Sequence, residues 1–513
     1  MKMSSLSRPR IWFRRVVFAL AIGVAVLVVA LALRAVYAFR DRNPGYHLSL
    51  QIEGRGAEAQ HRALRVGFGR RAISPDVSDP KRPVWLAGFA SGRAATSIHD
   101  DLWAVACVMD DGRTRLGIVG FDGIGLFNDD VITTRQLLPA EWKLDYTIVC
   151  ATHNHSTPDL MGLWGPSILK TGVDRGYLRQ VQEGIRDALG AAVSSLQPAR
   201  LVPIEIPTSP GGLVADSRKP EVFDPDIRLM LFTRPDAPVV IGSIVTWADH
   251  PETPWSENTE ITADFPGILR ESLERGIVRD GAVRMEGMGG THLYVNGAIG
   301  GLMTTDPGTT VCDPLTGQEF SQPSHEKSRA LGNSIAQRIL QHVAAADLSS
   351  GESPSICIHA RSMEAPLANF NFLLAPVLGI VDRGHVRWKT LRTEVALVTV
   401  GDASIACLPG EIYPELINGG IERAPGGDFN VDPVEVPHVR ALLPGRVKFV
   451  FGLANDEIGY IIPKSEWDEG PPWLYGSAEP VYGEINSVGP ETALILHKAI
   501  RQLADEHARA QPR

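Results

Sequence analysis

The chain has 513 residues, of which 44% are hydrophobic and 21% are charged, a composition typical of a globular protein with a large apolar core. Its formal net charge of −9 argues against a nucleic-acid-binding protein, which normally presents a basic face. The five cysteines are scattered and include no C-x-x-C pair, so the sequence predicts neither a disulfide framework nor a thiolate zinc site.

The N-terminus carries a targeting signal. Five basic residues lie within the first 15 positions, and an uncharged apolar run follows at residues 16–33. A run of this length is near the lower limit for crossing a bilayer, and the basic flank predicts that the N-terminus stays in the cytoplasm. We therefore predict a signal-anchor transmembrane helix at about residues 16–36, within an N-terminal segment 1–40. A cleaved signal peptide, for which Ala38 offers a small residue, is the alternative.

The rest of the chain is predicted to be exported. It would lie on the extracytoplasmic (periplasmic or extracellular) side of the cell membrane, or be secreted after cleavage. Residues 41–60 are polar and irregular, and we interpret them as a tether. The pattern at 61–513 is globular without a low-complexity linker, so we predict one large domain there.

Strand-like and helix-like segments both occur in this domain. Apolar runs typical of strands lie at 102–109, 115–121, 146–152, 239–248, 394–401, 403–409 and 446–454. Apolar positions three and four residues apart, typical of helices, lie at 175–196, 324–346 and 489–508. Because strands and helices mix along the chain, we predict an α/β (α+β mixed) fold of layered β-sheets flanked by helices.

The run at 146–152 leads into two histidines separated by one residue, His153 and His155. Side chains alternate between the faces of a strand, so residues i and i+2 lean to the same side. The pair indicates a metal site or an acid–base site at a strand end. Such pairs also occur as ordinary surface or hydrogen-bonded histidines.

Three other apolar runs end close to side chains that can bind a metal, namely His250, Glu411 and Tyr460. Active sites often collect at one edge of a sheet because a rigid scaffold positions the loops there. Two imidazoles, a carboxylate and a phenolate would, with a water, suit zinc, whose catalytic sites keep one position open. Zinc would lower the pKa of the bound water to about 7 and polarise a carbonyl oxygen.

Each of these residues also has an ordinary structural interpretation. His250 precedes a proline and could cap a turn after a strand. Glu411 lies near the start of a helix-like segment, where the helix dipole favours a carboxylate. Tyr460 could be a half-buried strand aromatic. Spacing alone does not join residues that are so far apart in the chain.

Five segments together resemble a known family. They are RVGFGRRAISPD to SIHDDLWA at 65–104, ATHNHSTPD at 151–159, VADSRKP at 214–220, ITADFPG at 261–267 and GLANDEIGYIIP at 452–463. In order and spacing they are similar to motifs of the neutral/alkaline non-lysosomal ceramidases, above all A-T-H-T-H-S-G-P and G-Y-A-N-x-Y-x-x-Y-V. The resemblance covers most of residues 64–505, the N-terminal catalytic domain of that family. Because the chain ends at Arg513, we expect no room for the C-terminal β-sandwich of longer members.

The resemblance implies a metal site. In that family, a histidine of the H-x-H motif, a later histidine, a glutamate and a tyrosine hold one zinc ion. Position by position, these ligands fall on His153, His250, Glu411 and Tyr460, which implies one Zn²⁺ per chain.

The resemblance also implies residues that contact the substrate. His155 would lie beside the metal or bind the oxyanion. Arg218 matches an arginine that contacts the substrate region, and a second family tyrosine falls on Tyr482, with Tyr475 as the competing position. The expected task of these residues is to stabilise developing negative charge.

The sequence departs from the family at the serine nucleophile. Asn296 and the glycines of that segment match, but the serine position falls on Gly301 or its neighbour. Thr304 and Thr305 offer hydroxyls a few residues later, which a shifted loop would have to bring into place. Three accounts remain open: zinc-bound water attacks directly, the substrate is a different one, or the protein binds without turnover.

The resemblance therefore implies a zinc-dependent hydrolase that cleaves the amide bond of N-acylsphingosine (ceramide) or a related N-acyl lipid into a fatty acid and an amine. The expected partners are that lipid or N-acyl amine and, through the N-terminal helix, a membrane. One alternative is an amidase or esterase with another substrate that uses zinc-bound water. The other is a membrane-anchored zinc protein that binds without catalysis.

Overall fold

The structure is a computed structural model that describes residues 8–54, 63–303, 309–348, 351 and 353–510, with side chains from residue 12 onward. Within these ranges the helices are α1 (Arg8–Ala38), α2 (Asn128–Gln136), α3 (Arg175–Ser194), α4 (Asp264–Arg275), α5 (His325–Ala345), α6 (Phe370–Leu378), α7 (Pro414–Asn418), α8 (Val439–Leu442) and α9 (Thr492–Ala510).

The strands, in chain order, are β1 (Ser49–Ile52), β2 (Arg65–Ala72), β3 (Ser97–Ile98), β4 (Trp103–Asp110), β5 (Arg115–Phe121), β6 (Tyr146–Ala151), β7 (Gln197–Pro198), β8 (Arg200–Ile206), β9 (Ala215–Asp216), β10 (Ile227–Thr233), β11 (Val240–Trp247), β12 (Glu260–Ile261), β13 (Ile277–Arg279), β14 (Ala282–Met285), β15 (Thr291–Asn296), β16 (Leu302–Met303), β17 (Val311–Cys312), β18 (Glu319–Phe320), β19 (Ile356–Pro366), β20 (Thr390–Val400), β21 (Ala403–Cys407), β22 (Glu411–Ile412), β23 (Val447–Phe451) and β24 (Tyr460–Ile461).

Three larger sheets form the framework. Their strand orders are β6-β5-β4-β2-β7, β15-β11-β10-β8 and β1-β19-β20-β21-β23. Most neighbouring strands are antiparallel, but each sheet contains one parallel pair: β5 with β6, β11 with β15, and β21 with β23. The predicted mixed α/β fold of layered sheets and flanking helices is confirmed.

One apolar core joins the three sheets. It contains Phe68 of β2, Ile148 of β6, Leu293 of β15, Val398 of β20 and Phe449 of β23. Strands that are covered on both faces read as continuous apolar runs rather than alternating ones. This explains why the sequence shows β5 and β6 as largely apolar segments without alternation.

Helix α3 covers the outer face of the first sheet at very short range. Gly67 and Gly69 of β2 lie against the backbone carbonyls of Ala192 and Ala188 in α3, where a Cβ atom at either glycine would overlap them. Glycine is therefore required so that the helix backbone can reach the strand. The amphipathic helix buries its apolar stripe there, including Val181.

Helix α1 stands apart from this body. Its segment Trp12–Ala38 is long and apolar enough to cross a membrane, and its side chains from residue 12 to residue 33 are exposed. This agrees with the predicted N-terminal apolar helix.

The sequence analysis predicts a tether at 41–60, of which residues 55–60 lie outside the described residues, whereas residues 41–54 make contacts with the body. Asp41 forms a two-point ion pair with Arg392, at 2.7 and 2.9 Å, and the Asn43 amide donates to Asp129 at 2.7 Å. Strand β1 then pairs with β19 as an edge strand. Polar side chains in this stretch find charged partners that are distant in sequence, so residues 41–54 pack against the body.

Asn455 ties the loop after β23 to the edge strand β6. Its side-chain oxygen accepts a hydrogen bond from the Val149 amide at 2.8 Å, and its side-chain nitrogen donates to the Tyr146 hydroxyl at 3.0 Å. Its backbone φ is +64°, a conformation that asparagine and glycine adopt more readily than other residues. This residue sets the position of the following segment, including Tyr460, relative to His153.

We predict that Asn455→Gly and Asn455→Ala both lower the free energy of unfolding, because both lose the two side-chain hydrogen bonds, which together contribute about 2 kcal/mol. Alanine should be the less stable of the two by about 1 kcal/mol, because only glycine tolerates the positive φ. Equilibrium denaturation of the detergent-solubilised chain measures both differences. Equal stability of the two variants would contradict this role.

Candidate metal centre

The four side chains that the sequence analysis expects to meet lie at neighbouring strand ends. His153 comes two residues after β6 and His250 three residues after β11, each a member of a parallel pair. Glu411 and Tyr460 are direct partners in the parallel pair of β22 and β24. These two strands follow β21 and β23, which are also parallel. The carboxyl ends of parallel strands thus bring all four side chains together.

The polar atoms of these side chains converge. Nε2 of His153 lies 3.3 Å, and Nε2 of His250 lies 2.9 Å, from Oε2 of Glu411. The Tyr460 hydroxyl lies 3.4 Å from Nε2 of His250. All four residues are buried, so bulk water does not screen their interactions.

Backbone carbonyls fix one proton on each imidazole. Nδ1 of His153 lies 2.7 Å from the Ile124 oxygen, and Nδ1 of His250 lies 2.8 Å from the Leu302 oxygen. A carbonyl oxygen only accepts hydrogen bonds, so each Nδ1 must donate, and a neutral ring then carries its lone pair on Nε2. Two lone pairs therefore face a carboxylate oxygen. Buried acceptors in this arrangement require positive charge between them.

A divalent metal ion is one candidate source of this charge. Burial alone would raise the pKa of Glu411, but positive charge beside it, whether on His153 and His250 or on a bound cation, lowers that pKa. The centroids of the His153 and His250 rings are 5.1 Å apart. One divalent ion would satisfy every acceptor at once. Histidine ligands whose other nitrogen donates to a backbone carbonyl are usual in zinc sites.

Two tyrosines lie at this centre. Burial raises the pKa of Tyr460 well above its ordinary value, and the charge of Glu411 adds to the rise. The ring of Tyr482 lies 5.4 Å from that of Tyr460 and lines the same cavity. Tyr475 instead donates its hydroxyl hydrogen bond to Glu422, away from the cavity. The position beside Tyr460 thus belongs to Tyr482 rather than Tyr475.

His155 lies beside the two other histidines. One ring nitrogen of each of His153, His155 and His250 lies within 4.8 Å of the others. Burial, followed by the neighbouring histidines, lowers the pKa of His155 well below its ordinary value, so this ring is neutral. Nδ1 lies 3.5 Å from a carboxylate oxygen of Glu252, and neither ring nitrogen of His155 has a hydrogen-bond partner among the described residues.

Arg218 does not line the cavity, and its expected contact with the substrate stays a prediction. Its guanidinium donates to both carboxylate oxygens of Glu484, at 2.7 and 2.8 Å, and to the carbonyls of Tyr482 and Glu466. A buried arginine needs such partners, and Glu484 is too distant in sequence to be recognised from local pattern. Arg218 thereby positions the loop that carries Tyr482.

The centre opens into a cavity of about 810 Å³, within the usual range for ligand sites. His153, Glu411 and Tyr460 lie on its buried part. The remaining wall is mostly apolar, with side chains that include Phe89, Ile124, Phe127, Met161, Leu163, Trp164, Leu367, Phe372, Leu374, Ile380, Val381, Leu391 and Ile458. Because the polar residues are buried and several apolar ones are exposed, the cavity runs from a polar inner end to an apolar mouth.

Glu457 is a cavity residue that the sequence analysis missed. It is buried, and Oε1 accepts a hydrogen bond from the Gly459 amide at 2.7 Å. No partner for Oε2 is found among the described residues. Burial, and then the nearby charge of Glu411, raises the pKa of Glu457 well above its ordinary value. Its place in the ANDEIGY segment, three residues before Tyr460, was the only available signal.

The expected serine position offers no place for a nucleophile. Gly301 has a φ of +76°, and a Cβ atom there would lie 2.6 Å from Oδ1 of Asp216 and 3.1 Å from the Tyr413 ring. Gly301 also does not line the cavity. Thr304 and Thr305, the other hydroxyls considered, lie outside the described residues.

A second group of metal-capable side chains, His99, Glu260 and His325, lies nearer the surface. His325 Nε2 lies 3.1 Å from a Glu260 carboxylate oxygen, and the two histidine rings stack with centroids 3.8 Å apart. An ordinary hydrogen bond explains the contact between His325 and Glu260, so this surface group gives no reason to place a cation there.

Comparison with known proteins supports the fold. The structure is similar to that of neutral ceramidase from Pseudomonas aeruginosa, with a TM-score of 0.64 and 16% identity over 88% of this chain and 75% of that one. It is also similar to a structure described as a ceramidase complexed with C2, with a TM-score of 0.65 and 17% identity over 88% of this chain and 76% of the other. No family model and no curated protein matches the sequence. The resemblance to neutral ceramidases is thus confirmed at the level of the fold.

We predict that Gly301→Ser does not add a working nucleophile and lowers the free energy of unfolding by about 2 kcal/mol or more, since it combines a positive φ with a clash. Gly281→Ser is the matched control, because Gly281 has a similar φ of +73°. Apart from Gly281 and its two chain neighbours, no described residue has an atom within 4 Å of the point that a Cβ atom would occupy there. It should cost about 1 kcal/mol. A Gly301→Ser variant that is as stable as the control would contradict this interpretation.

Proposed function

We propose that the protein is a zinc-dependent hydrolase that cleaves the amide bond of an N-acyl lipid, with N-acylsphingosine as the first candidate, into a fatty acid and an amine. The observation that carries this proposal is the convergence of two imidazole lone pairs and a carboxylate at the buried end of a long apolar cavity. The likeness in fold to neutral ceramidases supports the same reaction class.

The proposed ligands are Nε2 of His153, Nε2 of His250, a carboxylate oxygen of Glu411 and the hydroxyl oxygen of Tyr460. When bound, zinc supplies Lewis-acid chemistry, which polarises a carbonyl and makes water a nucleophile near neutral pH. This chemistry fits a chain whose serine position is a glycine that faces Asp216 and Tyr413.

The protein side chains orient the substrate and handle protons. In this proposal, the carbonyls of Ile124 and Leu302 hold the two imidazoles in place. His155, with Nδ1 directed at Glu252, presents Nε2 to accept a proton or a hydrogen bond from a group in the cavity.

The shape of the cavity supports a lipid substrate. Its apolar wall would bury an acyl chain, whose transfer from water contributes about 0.8 kcal/mol per methylene. Its polar inner end would receive the amide. Tyr482 and Glu457 lie close to that end and would contact the polar groups of the amine portion. The amide bond of the substrate would thus lie at the polar inner end, with the acyl chain directed toward the mouth of the cavity.

We predict that the purified chain holds about one zinc ion, and that His153→Ala and His250→Ala each weaken zinc binding at least about 100-fold. Metal content after gel filtration, together with the loss of thermal stability on adding a chelator, measures this without an activity assay. His292→Ala is the control, because His292 is buried elsewhere and bonded to Ser243. Unchanged zinc content in both site variants would remove the proposed centre.

We also predict that the wild-type chain releases fatty acid from a short fluorescent N-acylsphingosine, and that Glu411→Gln lowers kcat/KM at least about 1,000-fold, because it removes the charge that holds the metal. Glu260→Gln, in the surface group, should leave kcat/KM unchanged. Other N-acyl amines and simple esters define the substrate class. Zinc-loaded protein that hydrolyses none of them would instead support a binding protein without catalysis.

A further inference from the structure

The most exposed large apolar side chains gather around the cavity mouth and the end of α1. Outside α1, five such side chains among the described residues are 62% to 76% exposed: Ile168, Leu169, Phe370, Trp388 and Ile485. Exposed apolar groups scattered singly need no explanation, but a contiguous patch marks an interaction surface.

These five residues adjoin the cavity or the anchor. Ile168, Leu169 and Ile485 line the cavity. Phe370 is the first residue of α6, another wall element. Trp388 packs edge-on against Phe39, directly after α1, with ring centroids 4.5 Å apart. We call these five residues, with Leu374 and Leu378, the mouth face.

Helix α6 contributes an apolar stripe to the mouth face. Phe370, Leu374 and Leu378 are spaced by four residues, so they lie on one side of the helix, and all three are exposed. A soluble surface helix normally turns such a stripe toward the core. In α6 the buried residues are Ala375 and Pro376 instead.

The last turns of α1 bind the end of α6. Arg34 donates from Nε to the Val377 oxygen at 2.9 Å and from Nη2 to the Pro376 oxygen at 3.3 Å. The 18 uncharged residues from Val16 to Leu33 extend about 27 Å, close to the thickness of a hydrocarbon core. Arg34 therefore falls at the boundary of the hydrocarbon when α1 spans a membrane. Its hydrogen bonds hold the end of α6 at the same depth.

We propose that the mouth face lies in the bilayer that α1 spans, so that a lipid passes from the membrane into the cavity without crossing water. This inference rests on the proposed function, because it assigns the route by which an N-acyl lipid reaches that site. Continuity with α1 identifies the occupant as the lipid leaflet at the C-terminal end of the anchor.

The residues beside the mouth face suit a lipid interface. Exposed Lys170 follows Leu169, and exposed Arg387 and Lys389 flank Trp388. Long basic side chains extend to the headgroups while their stems lie along apolar surface, and tryptophan is enriched at this level of the membrane. Tyr37, stacked with Arg40 at the end of α1, belongs to the same level.

Site-specific labelling of the full chain tests this placement without an activity assay. Cys312 is the exposed cysteine, and the other four are buried, so Cys312→Ser gives a background for single labels. Fluorescent labels at Phe370→Cys and Ile168→Cys are compared in vesicles of phosphatidylcholine with brominated acyl chains. We expect strong quenching of both, as at Leu20→Cys within α1.

Val239→Cys is the matched control. Val239 is also an exposed apolar residue, but it precedes β11, whereas His250 follows the other end of that strand. The eight residues of β11 extend about 26 Å. Its label should be quenched by aqueous iodide and not by bromolipid. Iodide quenching of the Phe370 and Ile168 labels would overturn the inference. Protection from both quenchers would also overturn it, since it would indicate contact with a protein, such as a second copy.

A second measurement separates this inference from the proposed function. Phe370 does not line the cavity, and glutamate is favourable in the first turn of a helix, so Phe370→Glu should preserve the fold. We expect it to lower turnover of a long-chain N-acylsphingosine in vesicles about tenfold relative to a water-soluble short-chain analogue. The reason is that a charge replaces a ring that would lie in the hydrocarbon of the bilayer. An unchanged ratio contradicts the membrane placement. No turnover of either substrate by the wild-type chain contradicts the proposed function.

Discussion

Two imidazoles and a carboxylate converge at one buried point of this structure, and the proposed centre depends on how their charges are balanced. Two imidazoles, each held by a backbone carbonyl at Nδ1, turn their other nitrogen toward an ionised carboxylate, with both contacts at 3.3 Å or less. Two hydrogen-bond acceptors cannot bond to each other, and burying a charge without a partner costs free energy. A divalent ion would resolve the conflict for His153, His250 and Glu411 together, and the nearby Tyr460 hydroxyl would complete a zinc-like ligand set. A proton could satisfy only one ring at a time.

The fold concentrates these groups through its parallel strand pairs. Every large sheet contains one such pair, and the segments that follow their carboxyl ends carry the four side chains. Asn455 closes the arrangement by tying the loop after β23 to β6, so that Tyr460 and His153 come from separate sheets but keep a fixed relation. The same framework leaves an apolar cavity between the centre and α6. Helix α1 then binds α6, which links a candidate lipid site to a candidate membrane anchor.

Local pattern predicted much of this structure. Continuous apolar runs matched β4, β5, β6, β11, β20, β21 and β23 because strands covered on both faces carry no polar alternation. The amphipathic segments matched α3, α5 and α9 within a few residues. Proximity of the four polar side chains followed from their places after strands together with the family resemblance, since spacing alone joined none of them.

Contacts between residues far apart in sequence were not predictable in the same way. The direct pairing of Glu411 with Tyr460, the ion pair of Arg218 with Glu484 and the docking of residues 41–54 all depend on tertiary structure. Glu457 was missed because a single acidic residue in a loop gives no pattern. The most direct test of the central claim is X-ray diffraction at the zinc absorption edge from crystals of the purified chain. We expect one anomalous peak at about 2.0–2.3 Å from Nε2 of His153, Nε2 of His250 and an oxygen of Glu411; no peak there, or a peak only at His99, Glu260 and His325, would contradict it.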